Sequence, residues 1–120
     1  MAALYDKIVA CKGMLLLTPV YFFNVSAQLK AFIDRLDGLW NWDRDFLRGK
    51  PAGAVLVYAD ATPEESGAVH AMAALDHLFR YVGADGRGFA CGSAENEGDV
   101  ERNPALLERA RGLARSLAQG

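Results

Sequence analysis

The sequence predicts an α/β fold in which helices cover both faces of a parallel sheet. Three short apolar runs, at positions 14–17, 54–59 and 89–91, have the composition of strands that are buried on both faces. Segments with helical spacing of apolar residues lie before, between and after these runs, which gives the order αβαβαβα. Alternating helices and apolar strands favour a parallel sheet with right-handed crossovers. The 120 residues suffice for one domain, residues 1–120, and are too few for two.

The helices have recognisable ends. Gly13 and Gly38 follow apolar-periodic segments and are typical helix stops. Ser26 and Asn103 precede such segments and are good N-cap residues. The stretch between positions 39 and 51 and the glycine-rich segment 83–88 are expected to be irregular. The sequence therefore predicts helices over 2–12, 27–38, 63–82 and from 104 onward.

Composition and charge exclude several functional classes. Hydrophobic residues make up 52 % of the chain and charged residues 23 %, so a packed core is expected. The net charge is −2 and no basic stripe is present, which argues against nucleic-acid binding. No apolar run approaches the ~20 residues that a membrane-spanning helix needs. These features predict a cytoplasmic protein with no membrane or nucleic-acid partner.

The metal-binding residue types are scattered. Cys11 and Cys91 are the only cysteines, and His70 and His77 are seven positions apart within a predicted helix. No CxxC motif or Cys/His cluster is present, so a zinc site is not expected. Two isolated thiols are typical of a reducing compartment.

Three loops are expected at the carboxyl ends of the strands, at positions 18–25, 60–67 and 92–102. Ligands of parallel α/β sheets bind at this edge. The first of these loops is the most distinctive segment of the chain. Positions 18–26 read TPVYFFNVS, and positions 29–35 of the helix that follows read LKAFIDR.

A Pro-aromatic loop between an apolar strand and this capped helix resembles the flavodoxin-like NADPH-dependent FMN reductase family, which includes the flavin domain of iron–sulfur flavoproteins. The resemblance implies a flavodoxin-like three-layer αβα fold, FMN as cofactor and NAD(P)H as co-substrate. It implies hydride transfer through the flavin to a small acceptor and a homo-oligomeric state. The cofactor-binding residues that it implies are Thr18, Pro19, Val20, Tyr21, Phe22, Asn24, Asp60 and Ala61.

The residue types of the first loop suit a flavin ring. Pro19 stiffens the chain as it leaves the strand, and Tyr21 and Phe22 offer flat apolar surfaces. The Asn24 amide and the backbone can pair with the polar edge of a ring. The alternative is a loop that plugs its aromatic side chains into the core.

Two departures from the family pattern stand out. Phe23 occupies a position where the family usually has glycine, so its side chain either narrows the pocket or stacks from another angle. The loop after the second strand is acidic instead of glycine-rich, and a capping box accounts for Thr62 and Glu65 without any ligand. Trp40 and Trp42 are expected at an interface, with the edge of the core as the alternative.

The resemblance covers only part of the family domain, which has five strands in the order 2-1-3-4-5. The elements here correspond to strands 3, 4 and 5, without the Ser/Gly-rich phosphate loop or the iron–sulfur cysteine motif. The expected consequences are weaker FMN binding and an exposed strand edge at 14–17. Self-association and a misplaced start codon are both consistent with that edge. Two other functions remain. One is a non-catalytic oligomerisation or interaction module. The other is a response-regulator-like phosphoacceptor, which would need an acidic cluster at the strand ends and a lysine late in the chain; Asp60 is a single acidic candidate and no lysine follows Lys50, so the sequence argues against it.

Overall fold

Three parallel strands form the centre of the structure, with helices on both faces. The structure is a computed structural model that describes residues 2–119. The elements in chain order are α1 (Ala2–Ala10), β1 (Met14–Tyr21), β2 (Asn24–Val25), α2 (Ala27–Trp42), β3 (Pro51–Tyr58), α3 (Pro63–Ser66), α4 (Ala68–Tyr81), β4 (Asp85–Ser93) and α5 (Pro104–Ala118).

The sheet has the strand order β2-β1-β3-β4. Strand β3 is central and pairs in parallel with both β1 and β4, whereas β2 is a two-residue strand antiparallel to the end of β1. The predicted α/β class with a parallel sheet is confirmed. Among residues 2–119, no helix is both long enough and apolar enough to cross a bilayer.

The two faces of the sheet are covered in different ways. Leu16, Ala54 and Leu56 point into the main core, where side chains of α2 and α4 pack on them. On the opposite face, glycines of β3 and β4 let α5 approach closely. A Cβ added at Gly53 would lie 3.0 Å from Leu113, and one added at Gly92 would lie 3.0 Å from Leu106.

A second core lies where α1 packs beside α2. Its buried members include Ile8, Leu36 and Leu39. The hydroxyl of Tyr5 donates to the backbone carbonyl of Arg35. A Cβ at Gly38 would lie 2.7 Å from the Tyr5 hydroxyl oxygen, so this glycine permits the close contact and does not end the helix. The prediction that α2 stops at Gly38 was wrong.

The predicted caps are confirmed. The side chains of Ser26, Thr62 and Asn103 each accept a hydrogen bond from the backbone N–H three residues later, at 3.1–3.2 Å. Lys30 and Asp34 form an i, i+4 ion pair on the exposed side of α2.

Several boundaries differ from the predictions because sheet pairing overrides local composition. Strand β1 continues through Tyr21, where a loop was expected from position 18, because β3 and then β2 pair with it. Strand β4 begins at Asp85 inside the predicted turn, since β3 pairs with that segment.

Two helix boundaries also differ from the predictions. Helix α1 ends at Ala10, two residues before the predicted end. The predicted helix 63–82 is split at Gly67, whose φ of 76° lies in the left-handed region.

The two tryptophans have different environments. Trp40 packs against the second core, its ring centroid lies 5.1 Å from that of Tyr81, and the Arg44 guanidinium lies 4.6 Å from the Trp40 ring. This position matches the core-edge alternative. Trp42 is exposed at the end of α2.

Leu56 in the central strand allows a direct test of this core. We expect Leu56→Ala to lower the free energy of unfolding by about 3 kcal/mol, because the side chain is fully buried and its removal leaves a cavity. The matched control is Leu17→Ala in β1, where the side chain is 66 % exposed and the loss should stay below about 0.5 kcal/mol. Urea unfolding measures both, and equal losses would contradict this assignment of the core.

Candidate functional site

The carboxyl ends of the three parallel strands meet at one edge of the sheet. Pro19 of β1 is in register with Val57 of β3, which is in register with Gly92 of β4. The segments that follow these positions therefore lie side by side. This edge carries both predicted site segments, the one ending at Asn24 and the one at Asp60.

The first segment is a strand followed by a tight β-hairpin, and the predicted loop is corrected to this extent. Val20 pairs with Val25 and Tyr21 with Asn24, so only Phe22 and Phe23 form the turn. Both turn residues have positive φ, 45° for Phe22 and 71° for Phe23, as in a type I′ turn.

The hairpin exposes aromatic side chains to solvent. Phe22 is 94 % exposed and Tyr21 is 61 % exposed. The alternative in which this segment plugs its aromatic residues into the core is therefore excluded for these two residues. Exposed aromatic surface at the ligand-binding edge of a parallel sheet is the feature expected of a site for a planar ligand.

Hydrogen bonds within the hairpin fix its base. Thr18 is buried, and its hydroxyl oxygen accepts the N–H of Ser26 at 3.0 Å and donates to the carbonyl of Pro19 at 2.7 Å. The side-chain oxygen of Asn24 accepts the N–H of Val25 at 2.8 Å. Thr18 thus supports the hairpin from beneath, and the amide nitrogen of Asn24 is the part of that side chain left for a ligand.

Phe23 packs on the junction between α3 and α4. Gly67 lies at this junction, and a Cβ added there would be 2.5 Å from the Cβ of Phe23. Phe23 therefore packs against the protein, although about half of its side chain is exposed. The two alternatives for Phe23, a narrowed pocket and stacking on a flavin from another angle, stay predictions.

The second predicted segment follows β3 directly. Asp60 and Ala61 form an exposed bend, and Thr62 then caps α3. The last paired residues of β1 and β3 are Pro19 and Val57, so the hairpin and the Asp60 bend both follow the carboxyl ends of neighbouring strands. The structure thus places the two predicted segments on one edge of the sheet.

An apolar groove of about 280 Å³ lies beside the hairpin, on the same face of the sheet as α5 but over the part that this helix leaves uncovered. It is lined by Leu17, Thr18, Pro19, Val55, Val57 and Val100. Sequence reasoning included Thr18 and Pro19 but missed the other four residues. Alternation along β1 and β3 could have placed Leu17, Val55 and Val57 on one face. The position of Val100 depends on how the third loop folds.

The third loop at this edge is organised by Asp99. Hydrogen bonds from the backbone N–H of Asn96, from the Arg102 side chain and from the backbone N–H of Glu95 hold the pKa of Asp99 below its ordinary value. This carboxylate therefore has a structural role, and the loop places Val100 against the groove. Within residues 2–119, no three His, Cys, Asp or Glu residues are arranged to hold a metal ion.

One titratable group at this edge lies in the core. Burial raises the pKa of Tyr58, at the end of β3, and the nearby Cys91 thiol raises it further, whereas Arg109 lowers it. Arg109 also donates to the backbone carbonyl of Cys91 at 2.8 Å. Tyr58 thus links β3, β4 and α5 below the loops.

The parallel sheet, the helices on both faces and the ligand edge at the strand ends place the chain in the flavodoxin-like class of α/β domains. Residues 1–86 match the NADPH-dependent FMN reductase family, and the chain belongs to that family. The resemblance of positions 18–35 to this family is confirmed.

Comparison with known proteins agrees with this assignment. YwqN of Bacillus subtilis, named as an NAD(P)H-dependent FMN-containing oxidoreductase, is 30 % identical over 122 residues, which cover 97 % of this chain and 66 % of YwqN. An iron–sulfur flavoprotein of Archaeoglobus fulgidus is 45 % identical over 60 residues, which cover 50 % of this chain and 31 % of that protein. The chain therefore spans less than two thirds of the length of these relatives.

A solved structure shares the fold. The Trp repressor binding protein of Bacillus subtilis superimposes with a TM-score of 0.80 at 27 % identity, covering 93 % of this chain and 68 % of the other. The elements described above thus occupy the positions that they have in a larger flavodoxin-like protein.

Tyr58 generates a prediction on alkaline stability. A tyrosine whose folded pKa is raised stabilises the fold fully below its unfolded pKa of about 10. As the pH rises further, the unfolded chain loses this proton first, and stability falls until the pH passes the folded pKa. We expect the free energy of unfolding to fall less steeply above pH 10 in Tyr58→Phe than in the unmodified protein.

The control for this prediction is Tyr81→Phe, because Tyr81 is exposed at the end of α4. Urea unfolding at several values between pH 8 and 11 measures the slopes. A Tyr58→Phe slope equal to that of the unmodified protein, with the control also unchanged, would contradict the assigned shift.

Proposed function

We propose that this chain carries the ring-binding part of an FMN-dependent oxidoreductase that uses NAD(P)H. The observation that carries the proposal is the exposed pair Tyr21 and Phe22 on a hydrogen-bonded hairpin at the carboxyl edge of the sheet. Membership of the NADPH-dependent FMN reductase family supports the same cofactor and co-substrate. YwqN, which matches 97 % of this chain, is named as an FMN-containing oxidoreductase.

The proposed contacts follow from the positions of the residues. Tyr21 and Phe22 supply flat apolar surfaces, and Pro19 adds an apolar contact at the mouth of the groove. The backbone of Val20 and the amide nitrogen of Asn24 are placed to meet polar atoms of a ring. Asp60 and Ala61 approach from the adjacent strand, and Thr18 holds the hairpin from below.

The same edge is unsuited to a phosphate. Helix α3 begins with Pro63, which lacks an N–H, and continues with Glu64 and Glu65, whose carboxylates repel an anion. At the start of α2, Ser26 is buried and its hydroxyl already accepts the N–H of Leu29. The residues described here therefore fit the isoalloxazine ring and do not fit the phosphate of FMN.

FMN would supply the chemistry, since the cofactor accepts a hydride and passes electrons on. The protein's own residues would orient the ring and shield one of its faces from water. A flat apolar platform and a few backbone contacts suffice for that task, so no catalytic triad or carboxylate pair is required.

Because the proposed site holds the ring of FMN and not its phosphate, it can be tested by comparing two flavins that differ only in the phosphate. Because only the ring is held, riboflavin and FMN should bind this chain with dissociation constants within about threefold of each other, measured by quenching of flavin fluorescence. Tyr21→Ala and Phe22→Ala should each weaken both ligands about tenfold, since an aromatic contact contributes up to about 1.5 kcal/mol.

The matched control is Tyr81→Ala, which removes an exposed aromatic side chain at the far end of α4. It should leave both affinities unchanged. If neither flavin binds at saturating concentration, or if the control weakens binding as much as the hairpin variants do, the proposal fails.

A second candidate function is a non-catalytic module that forms homo-oligomers. Strand β2 covers only Val20 and Tyr21, so within residues 2–119 no strand pairs with the outer side of positions 14–19. Leu17 is also exposed on this strand. Such an edge is a template for pairing with another strand. An oligomer in light scattering together with no flavin binding would favour this function over the first.

A further inference from the structure

We propose that Gly67 is a positioning residue for the aromatic hairpin. Because Gly67 has no side chain, Phe23 can pack at the α3–α4 junction. This contact determines where Tyr21 and Phe22 lie at the edge of the sheet. The inference rests on the proposed flavin function only for its ligand readout. The positional claim concerns the protein without ligand.

The hairpin turn adopts a conformation that its own residues disfavour. Phe22 and Phe23 both have positive φ, a region that costs a residue other than glycine roughly 1–2 kcal/mol. Such a conformation persists only where the surroundings hold it. The ladder pairs Val20–Val25 and Tyr21–Asn24 hold it from within. From outside the turn, the Thr18–Ser26 hydrogen bond fixes the base of the hairpin, and the contact of Phe23 with Gly67 supports its tip.

This contact is too close for any side chain at position 67. An added Cβ would lie 2.5 Å from both Cβ and Cδ1 of Phe23 and 2.7 Å from its Cα. A rotation of the side chain can move the ring atom Cδ1 away, but it leaves Cα and Cβ of Phe23 in place, so the overlap with these two atoms persists. One of the two segments would have to move.

The hairpin is the segment that yields. Gly67 is buried, its N–H donates to the carbonyl of Glu64 at 3.3 Å, and its carbonyl accepts the N–H of His70 at 2.9 Å. The helix that starts there is anchored by fully buried Ala68 and Ala71. Phe23 is 56 % exposed and lies in a two-residue turn. Its displacement would carry Phe22 and Tyr21 with it, because the turn has no spare residue.

The chain offers a matched control for the backbone effect. Gly49 has a φ of 73°, nearly the same as the 76° of Gly67, but nothing lies within 4 Å of a Cβ built on it. Gly67→Ala and Gly49→Ala therefore add the same left-handed strain, and only the first adds the overlap with Phe23. A difference between the two variants reports the contact alone.

The first measurement is hydrogen–deuterium exchange of the flavin-free protein. We expect amides of residues 20–25 to exchange at least tenfold faster in Gly67→Ala, with little change in Gly49→Ala. Phe23→Ala, which introduces no overlap and remains informative if Gly67→Ala does not fold, should also speed this exchange. Phe22→Ala should not, because Phe22 is almost fully exposed.

The second measurement is flavin affinity at matched global stability. Gly67→Ala should raise the dissociation constants of FMN and riboflavin about tenfold over those of Gly49→Ala, and should alter the visible absorption bands of the bound flavin. In a Phe23→Gly background, Gly67→Ala should raise the dissociation constants by a smaller factor, because the effects of substitutions at two contacting residues are not additive.

If Gly67→Ala and Gly49→Ala speed the exchange of the hairpin amides equally, the proposal is overturned. It is also overturned if Gly67→Ala weakens flavin binding by the same factor in the Phe23→Gly background as in the unmodified protein. Absence of flavin binding in the unmodified chain would instead overturn the proposed function and leave the exchange test decisive for Gly67.

Discussion

The parallel pairing of β3 with both β1 and β4 is the constraint on which the rest of the structure depends. Because Pro19, Val57 and Gly92 share one level of the sheet, the hairpin, the Asp60 bend and the third loop all emerge at the same edge. Parallel strands direct successive loops to one side, and a ligand placed there meets residues that are distant in sequence. A change of register between β1 and β3 would shift the hairpin relative to the Asp60 bend and would alter the groove between these strands.

The two faces of the sheet contribute differently to the site. On the α2 and α4 face, Ala54 and Leu56 are buried in the core. On the α5 face, the helix packs on Gly53 and Gly92 and reaches the start of β1 near Gly13, whereas Leu17 further along β1 is exposed. The apolar groove is therefore the part of the sheet that α5 does not reach. Its lining combines exposed Leu17 with half-buried valines, and exposed apolar patches of this kind commonly serve in binding.

Local strain and exposed aromatic surface coincide at the hairpin. The turn holds two phenylalanines in a backbone region suited to glycine, and one of them points almost entirely into solvent. Neither property stabilises the isolated fold, whereas both place flat side chains at the ligand edge. Below the turn, the buried hydroxyl of Thr18 and the cap at Ser26 tie the hairpin to α2, so the strain is confined to two residues.

The sequence by itself determined the α/β class and the helix caps, because hydrophobic periodicity and capping residues are local signals, and its TPVYFF motif predicted the segment that would carry the site. It failed at Gly38, at Gly67 and at the start of β4, where a neighbouring element decides the conformation. Gly38 lies inside the helix in close contact with Tyr5, and Gly67 interrupts the helix with a left-handed φ in close contact with Phe23. The groove and the Phe23–Gly67 contact were decided only by tertiary structure, since they join residues more than thirty positions apart, and no local pattern encodes which distant surfaces meet.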